Sequence, residues 1–344
     1  MRHAHSRTGS WSALAGRLRW GTQEPPTPGP DEILVKVAFA GVCGSDLAKL
    51  NRSPIAVPER RWCPGHEVTG WDLERSSARP VVIDPLIPCD DCVRCSRGET
   101  HLCPELRRLG WDLPGGFAHF LTVPRTAVTE LPEEADLAYG VLADPLAVAI
   151  HGLRCALPPT FGGRLAVIGS GAVAICTAAY AVHLGWHVSL MVRDMSRVAV
   201  LQGKLDDATL GLVGAFPNSH FDAVVDAASG RDAQPLDSAL TLVRDGGHVV
   251  VQNAYEPGVR LGRDLREVFR RSLTITGSFS FCRRDGHDFA EALHLLAARP
   301  EWAAALTRDR YPLHELPEVL ERMRTCDSDR PLKAVLTTEG AIAS

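Results

Sequence analysis

The chain has no apolar run near the roughly 18 residues that a membrane span requires, so no transmembrane helix is expected. Its opening, MRHAHSRTGSWSALAG, lacks the apolar core of a secretory leader, and a cytoplasmic protein is expected. Internal repeats and low-complexity tracts are missing as well. Lysine is nearly absent: 4 of the 37 basic residues are Lys and the rest Arg, and Asn is scarce. That bias points to GC-rich coding rather than to chemistry. There is no excess of positive charge either. The net charge is -4 with 13 His, which argues against a nucleic-acid partner.

What is present is an ordinary globular composition, 45% hydrophobic and 23% charged, spread over 344 residues. That length is too great for one core and fits two domains. The first stretch reads as strands and turns. Residues 33–38 (ILVKVA) alternate and are β-branched after the turn-rich PPTPGPDE, and residues 81–83 and 117–123 are further strands. From about residue 146 strands alternate with helices. Strands fall at 165–168, 188–192, 223–226, 249–252 and 273–277; helices fall at 172–184, stopped by Gly185, and at 236–243. Such alternation implies an α/β fold with a doubly wound, Rossmann-type parallel sheet. The tail returns to helix at 288–298 and 315–323, then to a strand at 334–336. The expected domains are a mainly-β domain over 1–146, a cofactor-binding domain over 147–281, and a segment 282–344 that returns to the first.

Four of the ten cysteines, Cys89, Cys92, Cys95 and Cys103, crowd into one short loop, residues 89–103. Zinc takes four thiolates in a tetrahedron, and close spacing lets one loop supply them all. Asp90, Asp91 and Arg94 leave this loop without an apolar core of its own, so the metal must hold it together. Iron–sulfur clusters use similar cysteine runs, but only Cys103-Pro104 echoes one and no second cluster motif accompanies it. Four thiolates leave no open position, so this metal is read as structural. Cys63, Cys155, Cys176, Cys282 and Cys326 are read as unbridged and mostly buried, and of these Cys63 alone lies near a second candidate site.

That second site begins with Cys43-Gly-Ser45-Asp46 at the end of a strand and continues with Gly65-His66-Glu67. A thiolate and an imidazole are the usual start of a catalytic zinc, which takes three protein ligands and keeps one position open. Asp144, in Ala143-Asp144-Pro145-Leu146, is the candidate third ligand and Glu67 the alternative. Asp46 is placed to orient the imidazole, and Ser45 to carry a proton from the substrate. Taken singly, Cys43 and His66 would be read as buried structural residues. Their pairing, beside a cysteine loop and a nucleotide motif, favours metal.

The nucleotide motif is Val167-Ile-Gly169-Ser-Gly171-Ala172-Val173-Ala174, between a buried strand and a helix. The glycines permit the tight turn and let backbone approach a pyrophosphate at the positive helix end. At the end of the next strand an acidic residue would bind the ribose hydroxyl of NAD(H). Here that position holds Arg193, followed by Asp194, with Arg197 one turn on. An Arg there favours a 2′-phosphate, and NADP(H) is expected over NAD(H).

In this order these residues resemble the zinc-dependent medium-chain alcohol and polyol dehydrogenases. The resemblance runs through Glu32-Ile-Leu-Val-Lys-Val37, the Cys43 and Gly65 motifs, the four cysteines, Gly115-Gly-Phe-Ala118, Asp144-Pro-Leu-Ala-Val-Ala149, the Gly169 turn and Thr276-Gly-Ser-Phe279. It implies a GroES-like catalytic domain, a Rossmann domain, a substrate cleft between them, and a homodimer or homotetramer. It also implies a zinc acting as Lewis acid on a substrate oxygen and direct hydride transfer with the nicotinamide. The branch it points to handles polyols, sugars and cyclitols, and is similar to the aminocyclitol and amino-sugar dehydrogenases of aminoglycoside biosynthesis. Trp71, Trp111 and Phe279 are candidates to line the cleft, although packing is the better explanation of each.

The chain departs from the family pattern in four places. Asp144 stands where many members have Glu. Ala48 stands where many relay the proton through a His. The hairpin after Gly70 is shortened to residues 71–79, and Arg193 replaces the acidic cofactor residue. A zinc-free quinone-type reductase on the same fold and a zinc-stabilised nucleotide-binding or sensing protein without turnover are the rival readings.

Overall fold

The computed structural model describes residues 8–14, 17–50, 61–74, 77–131, 135–157, 162–203, 205, 208–228, 232–284, 286–325 and 329–338. Cys326, the side chain of Cys155 and Ser76 of the shortened hairpin lie outside the described residues. The chain divides into two compact units. One comprises Met1–Asp144, Arg283–Arg324 and Lys333–Ser344; the other comprises Pro145–Cys282 and Thr325–Leu332. Among the described residues no helix is long and apolar enough to cross a membrane.

The first unit is built around the eleven-residue strand Glu32–Val42. Its first half alternates, burying Ile33, Val35 and Val37, and its second half is buried throughout, so one end is sandwiched and the other half-covered. Glu67–Asp72 pairs antiparallel along one edge of it, followed by Arg79–Ile83 and Val128–Glu130. On its other edge Phe120–Pro124 takes one half and Ala334–Thr337 the other. Asp309–Pro312 then extends the sheet, parallel to Ala334–Thr337. The core gathers Ile33, Val35, Val37, Val68, Val81, Leu121 and Val123 with Leu316, Val319 and Leu320 of the helix Leu316–Arg324. Glu67–Asp72 (EVTGWD) was not legible as a strand, because it buries a Glu, a Thr and an Asp in place of an apolar alternation. A hairpin of Thr8–Leu14 and Arg17–Gln23 was also unforeseen.

The second unit is an entirely parallel six-stranded sheet. Its order is Ala208–Leu212, His187–Val192, Arg164–Ile168, Phe221–Asp226, Val243–Val251, Thr274–Gly277. The first strand in sequence is central, the next two run outward on one side, and the last three run outward on the other. That is the doubly wound order, with its switch point beside Arg164–Ile168. Parallel strands covered on both faces need apolar residues on both. Leu165, Ala166, Val167 and Ile168 are accordingly all buried.

One boundary differs from expectation. Segment 282–344 does not return to the first unit as a whole, because Thr325–Leu332 belongs to the second. Within that unit the Arg197 guanidinium donates to the carbonyl of Arg330 at 2.6 Å.

Candidate metal and cofactor sites

The four-cysteine loop folds around its sulfurs. Asp90 turns the chain in the left-handed region (φ 57), Val93–Ser96 forms one helical turn, and Thr100–Leu102 brings Cys103 back. The Sγ–Sγ separations are 3.5 Å for Cys92–Cys95 and Cys89–Cys103, and 3.9 Å for Cys89–Cys95 and Cys92–Cys103. A tetrahedron with zinc–sulfur bonds of about 2.3 Å has edges of about 3.8 Å, so the cage fits that cation. The Cys89 amide points at Cys103 Sγ (3.4 Å), as it would toward a thiolate. Arg283 pairs with Asp90 at 2.8 Å, and its amide bonds the Gly98 carbonyl at 3.0 Å. The loop is thereby fastened to the returning chain.

The second site is assembled at the ends of two neighbouring strands. Glu32–Val42 delivers Cys43 and the short helix Gly44–Leu50, on which Ser45 is half-buried and Asp46 fully buried. Glu67–Asp72 delivers His66 and Glu67. Donor atoms of Cys43, His66 and Glu67 all lie within 4.8 Å of one another. Asp46 accepts the Cys43 amide through Oδ2 (3.1 Å) and faces His66 Nδ1 with Oδ1 at 3.5 Å, leaving the opposite ring nitrogen for a metal. Burial drives the Asp46 carboxyl upward, but His66, Lys49 and the Cys43 amide outweigh it and hold the group down at about 2. Burial likewise works to lower the His66 pKa, and Asp46 and Cys43 raise it well above the ordinary value.

Glu67 forms an ion pair with Lys333, both nearly inaccessible. Gly41 lies opposite Glu67 in the ladder, and any Cβ there would collide with the Glu67 carboxylate and the Lys333 stem. Asp144 begins the helix Ala143–Ala156 and is half-buried. It is not among the three clustered donors, yet its charge is felt by Glu67 and Lys333. Burial raises the Asp144 pKa against the pull of His66 and Lys333.

Three carboxyl groups, Asp46, Glu67 and Asp144, gather beside the Cys43 sulfur, with Lys49 near Asp46 and Lys333 paired to Glu67. Sequence reasoning missed both lysines. The scarcity of lysine was the available signal, since two of only four are buried here. Cys63 donates to the Gly115 carbonyl (3.2 Å), and burial pushes its thiol up to about 12, so it is an inert neighbour.

In the second unit the glycine turn has the form a dinucleotide requires. Gly169 sits at φ +144, and a Cβ there would strike the Ala227 carbonyl at 2.6 Å. Gly171 precedes the helix Ala172–His183 and has nothing within 4 Å of where a Cβ would stand. No side chain caps that helix, so the amides of Ala172, Val173 and their neighbours are open to a phosphate. Arg193 is exposed just beyond the strand His187–Val192. Asp194 is engaged elsewhere: it caps the helix Met195–Leu201 by accepting the Ser196 amide at 2.7 Å. Arg197 does not join Arg193 as expected. It is buried, donating to the carbonyls of Ser170 (3.3 Å) and Arg330 (2.6 Å), and so braces the glycine turn instead of facing a 2′-phosphate.

Comparison with known proteins identifies the family. Residues 29–133 match the alcohol dehydrogenase GroES-like domain. The chain is 30% identical to the D-altritol 5-dehydrogenase of Agrobacterium fabrum (strain C58 / ATCC 33970) over 310 residues, 83% of this chain and 87% of the relative. It is 26% identical to the L-galactonate-5-dehydrogenase of Escherichia coli (strain K12) over 325 residues, 89% and 92% of the two chains. An alcohol dehydrogenase from Thermotoga maritima shares the fold with a TM-score of 0.83 at 21% identity, covering 97% of this chain and 100% of that one. The chain belongs to the zinc-type medium-chain dehydrogenases/reductases. It is a zinc- and NAD(P)-dependent oxidoreductase that interconverts alcohol and ketone, and nothing in these relationships favours a sensor or a zinc-free reductase.

Proposed function

We propose that each chain holds two zinc ions, a structural one on Cys89, Cys92, Cys95 and Cys103 and a catalytic one on Cys43, His66 and a carboxylate. The observation that carries this reading is the convergence of donor atoms of Cys43, His66 and Glu67 within 4.8 Å of one another. Proximity favours Glu67 as the third ligand, and Asp144, which responds to the same charges, is the alternative. Glu67→Gln and Asp144→Asn separate them by which one loses the second zinc.

Zinc, when bound there, supplies Lewis acidity toward the substrate oxygen, and the nicotinamide gives or takes the hydride. Asp46 keeps a proton on His66 Nδ1, so that Nε2 presents its lone pair. Ser45, half-buried two residues beyond Cys43, is the nearest hydroxyl on that helix to carry a proton. The pyrophosphate belongs on Gly169, Gly171, Ala172 and Val173. Arg193 takes a 2′-phosphate, which makes NADP(H) the preferred cofactor and ketone reduction the physiological direction. Capture of Asp194 as a helix cap supports this, because it removes the adjacent carboxylate from the ribose.

The substrate class is a secondary alcohol or ketone of a polyol or sugar, in keeping with the relatives that act on D-altritol and L-galactonate. Narrowing it to an aminocyclitol or amino sugar, and so to antibiotic biosynthesis, rests on motif resemblance. A cytoplasmic location accords with metal-spaced cysteines. A homodimer or homotetramer is supported by the second unit's sheet ending in the exposed strand Thr274–Gly277, with Leu265 and Phe269 79% and 82% exposed nearby in sequence. Zinc content per chain, measured with NADPH and NADH turnover over a panel of keto sugars, tests the reading. One zinc per chain, or faster turnover with NADH, overturns the corresponding half.

A further inference from the structure

Among the described residues Lys49 is the largest fully buried side chain of the first unit, and it takes no direct part in the chemistry described above. A buried ammonium is tolerated only where its charge and its three donors are answered. Lys49 Nζ stands 3.8 Å from Asp46 Oδ1, donates to the Gly110 carbonyl at 3.2 Å, and lies 3.7 Å over the Trp111 ring and 5.4 Å from the centre of Trp62. The Asp46 contact is made from one turn along the same helix, so the helix itself sets its geometry.

These contacts join the segments that carry both metal-binding side chains. On one side, Asp46 grips the Cys43 amide and faces His66. On the other, Gly110 is packed on Gly65, the residue before His66: a Cβ on Gly110 would fall 2.5 Å from the Gly65 carbonyl oxygen. Without Lys49, Asp46 keeps its oxygens but loses the charge that fixes one of them. Trp111 thereby acquires a definite role. Its ring receives the ammonium, which is a different duty from lining a cleft.

We propose that Lys49 is a positioning residue of the catalytic metal centre, its ammonium holding the Asp46 carboxylate where it grips the Cys43 amide and faces the His66 ring. The proposal rests on the reading of Cys43 and His66 as metal ligands. It concerns metal retention first and turnover only as a consequence.

The test compares the full-length wild type with Lys49→Met, Lys49→Gln, Lys49→Arg, Asp46→Asn and the double variant Lys49→Met/Asp46→Asn. Zinc per chain is followed through graded chelator, and the second site is refilled with Co2+ and read by its visible absorption. Lys49→Met and Lys49→Gln are expected to keep the four-cysteine zinc and release the other at about 10–100-fold lower chelator. Lys49→Arg is expected to restore retention to within a few-fold. The double variant is expected to be no worse than Asp46→Asn, because Lys49 acts through Asp46. Should Lys49→Met fail to fold, Lys49→Gln carries the test, since it keeps a donor for the Gly110 carbonyl. Wild-type chelator resistance in a neutral variant, or additive losses in the double variant, overturns the proposal. A wild type that binds only one zinc overturns the catalytic-metal reading itself, and is told apart because it appears before any substitution.

Discussion

Lys333, at the start of the last segment of the first unit, is ion-paired with Glu67, which directly follows the candidate ligand His66, and both side chains are withdrawn from water. Removing one member of such a pair leaves an uncompensated buried charge. Lys333→Met is therefore expected to destabilise the protein by about 3–5 kcal/mol, with much of that recovered in Lys333→Met/Glu67→Gln. Denaturant unfolding of the three proteins checks it. Equal stability of the single and double variants would contradict it.

Cys43→Ser is expected to lower zinc from two per chain to one, abolish turnover and leave far-UV circular dichroism and melting temperature nearly unchanged. Cys103→Ser is expected to do the opposite to stability: its sulfur is buried, and the polar loop has only the metal to organise it. Metal analysis and thermal melts on the two variants distinguish them.

Arg193→Ala is expected to raise KM for NADPH by about 10–100-fold, the worth of a charge-assisted hydrogen bond, and to change KM for NADH little. Arg197→Ala should injure both cofactors alike, because it loosens the glycine turn through Ser170 and exposes nothing specific to a 2′-phosphate. Steady-state kinetics with the two cofactors separate these outcomes.

Asp84 gives a pH dependence of defined sign. Burial raises its carboxyl to about 7, with the Leu86 amide and Arg283 pulling the other way. The folded state therefore holds a proton that the unfolded chain releases, so its contribution makes stability fall as pH climbs from about 4 to about 7 and level off above. Asp84→Asn keeps an acceptor for the Leu86 amide, which now reaches Oδ1 at 2.9 Å. The variant is expected to melt higher than wild type at pH 8 and close to it at pH 5. An offset equal at both values would refute this.

Legibility in the sequence followed the physics of each element. The parallel sheet was readable because strands buried on both faces must be apolar, and the glycine turn because its spacing serves one geometry. The cysteine cluster was readable because its four thiols lie in one loop. Ala208–Leu212 was not, since this edge strand is only half-buried and carries Gly211 in its interior. Glu67–Asp72 was hidden because it buries Glu67, Thr69 and Asp72, and the counter-ion of Glu67 is distant in sequence. Lys333 is the clearest example: nothing near it in the chain hints at Glu67. Arg197 was misjudged because proximity in sequence to Arg193 says nothing of which way a helix turns its side chain.

The first unit is closed by a strand made some three hundred residues after the one it joins. Ala334–Thr337 hydrogen-bonds along Glu32–Val42, and Thr338 Oγ1 donates to the Val37 carbonyl at 2.6 Å. A nascent chain thus exposes an unpaired stretch of its longest strand, and a Glu67 without its counter-ion, throughout synthesis of the entire nucleotide-binding sheet. The part of the molecule translated first is the part finished last. Its vulnerability to misassembly should therefore peak while the parallel sheet of the other unit is already made.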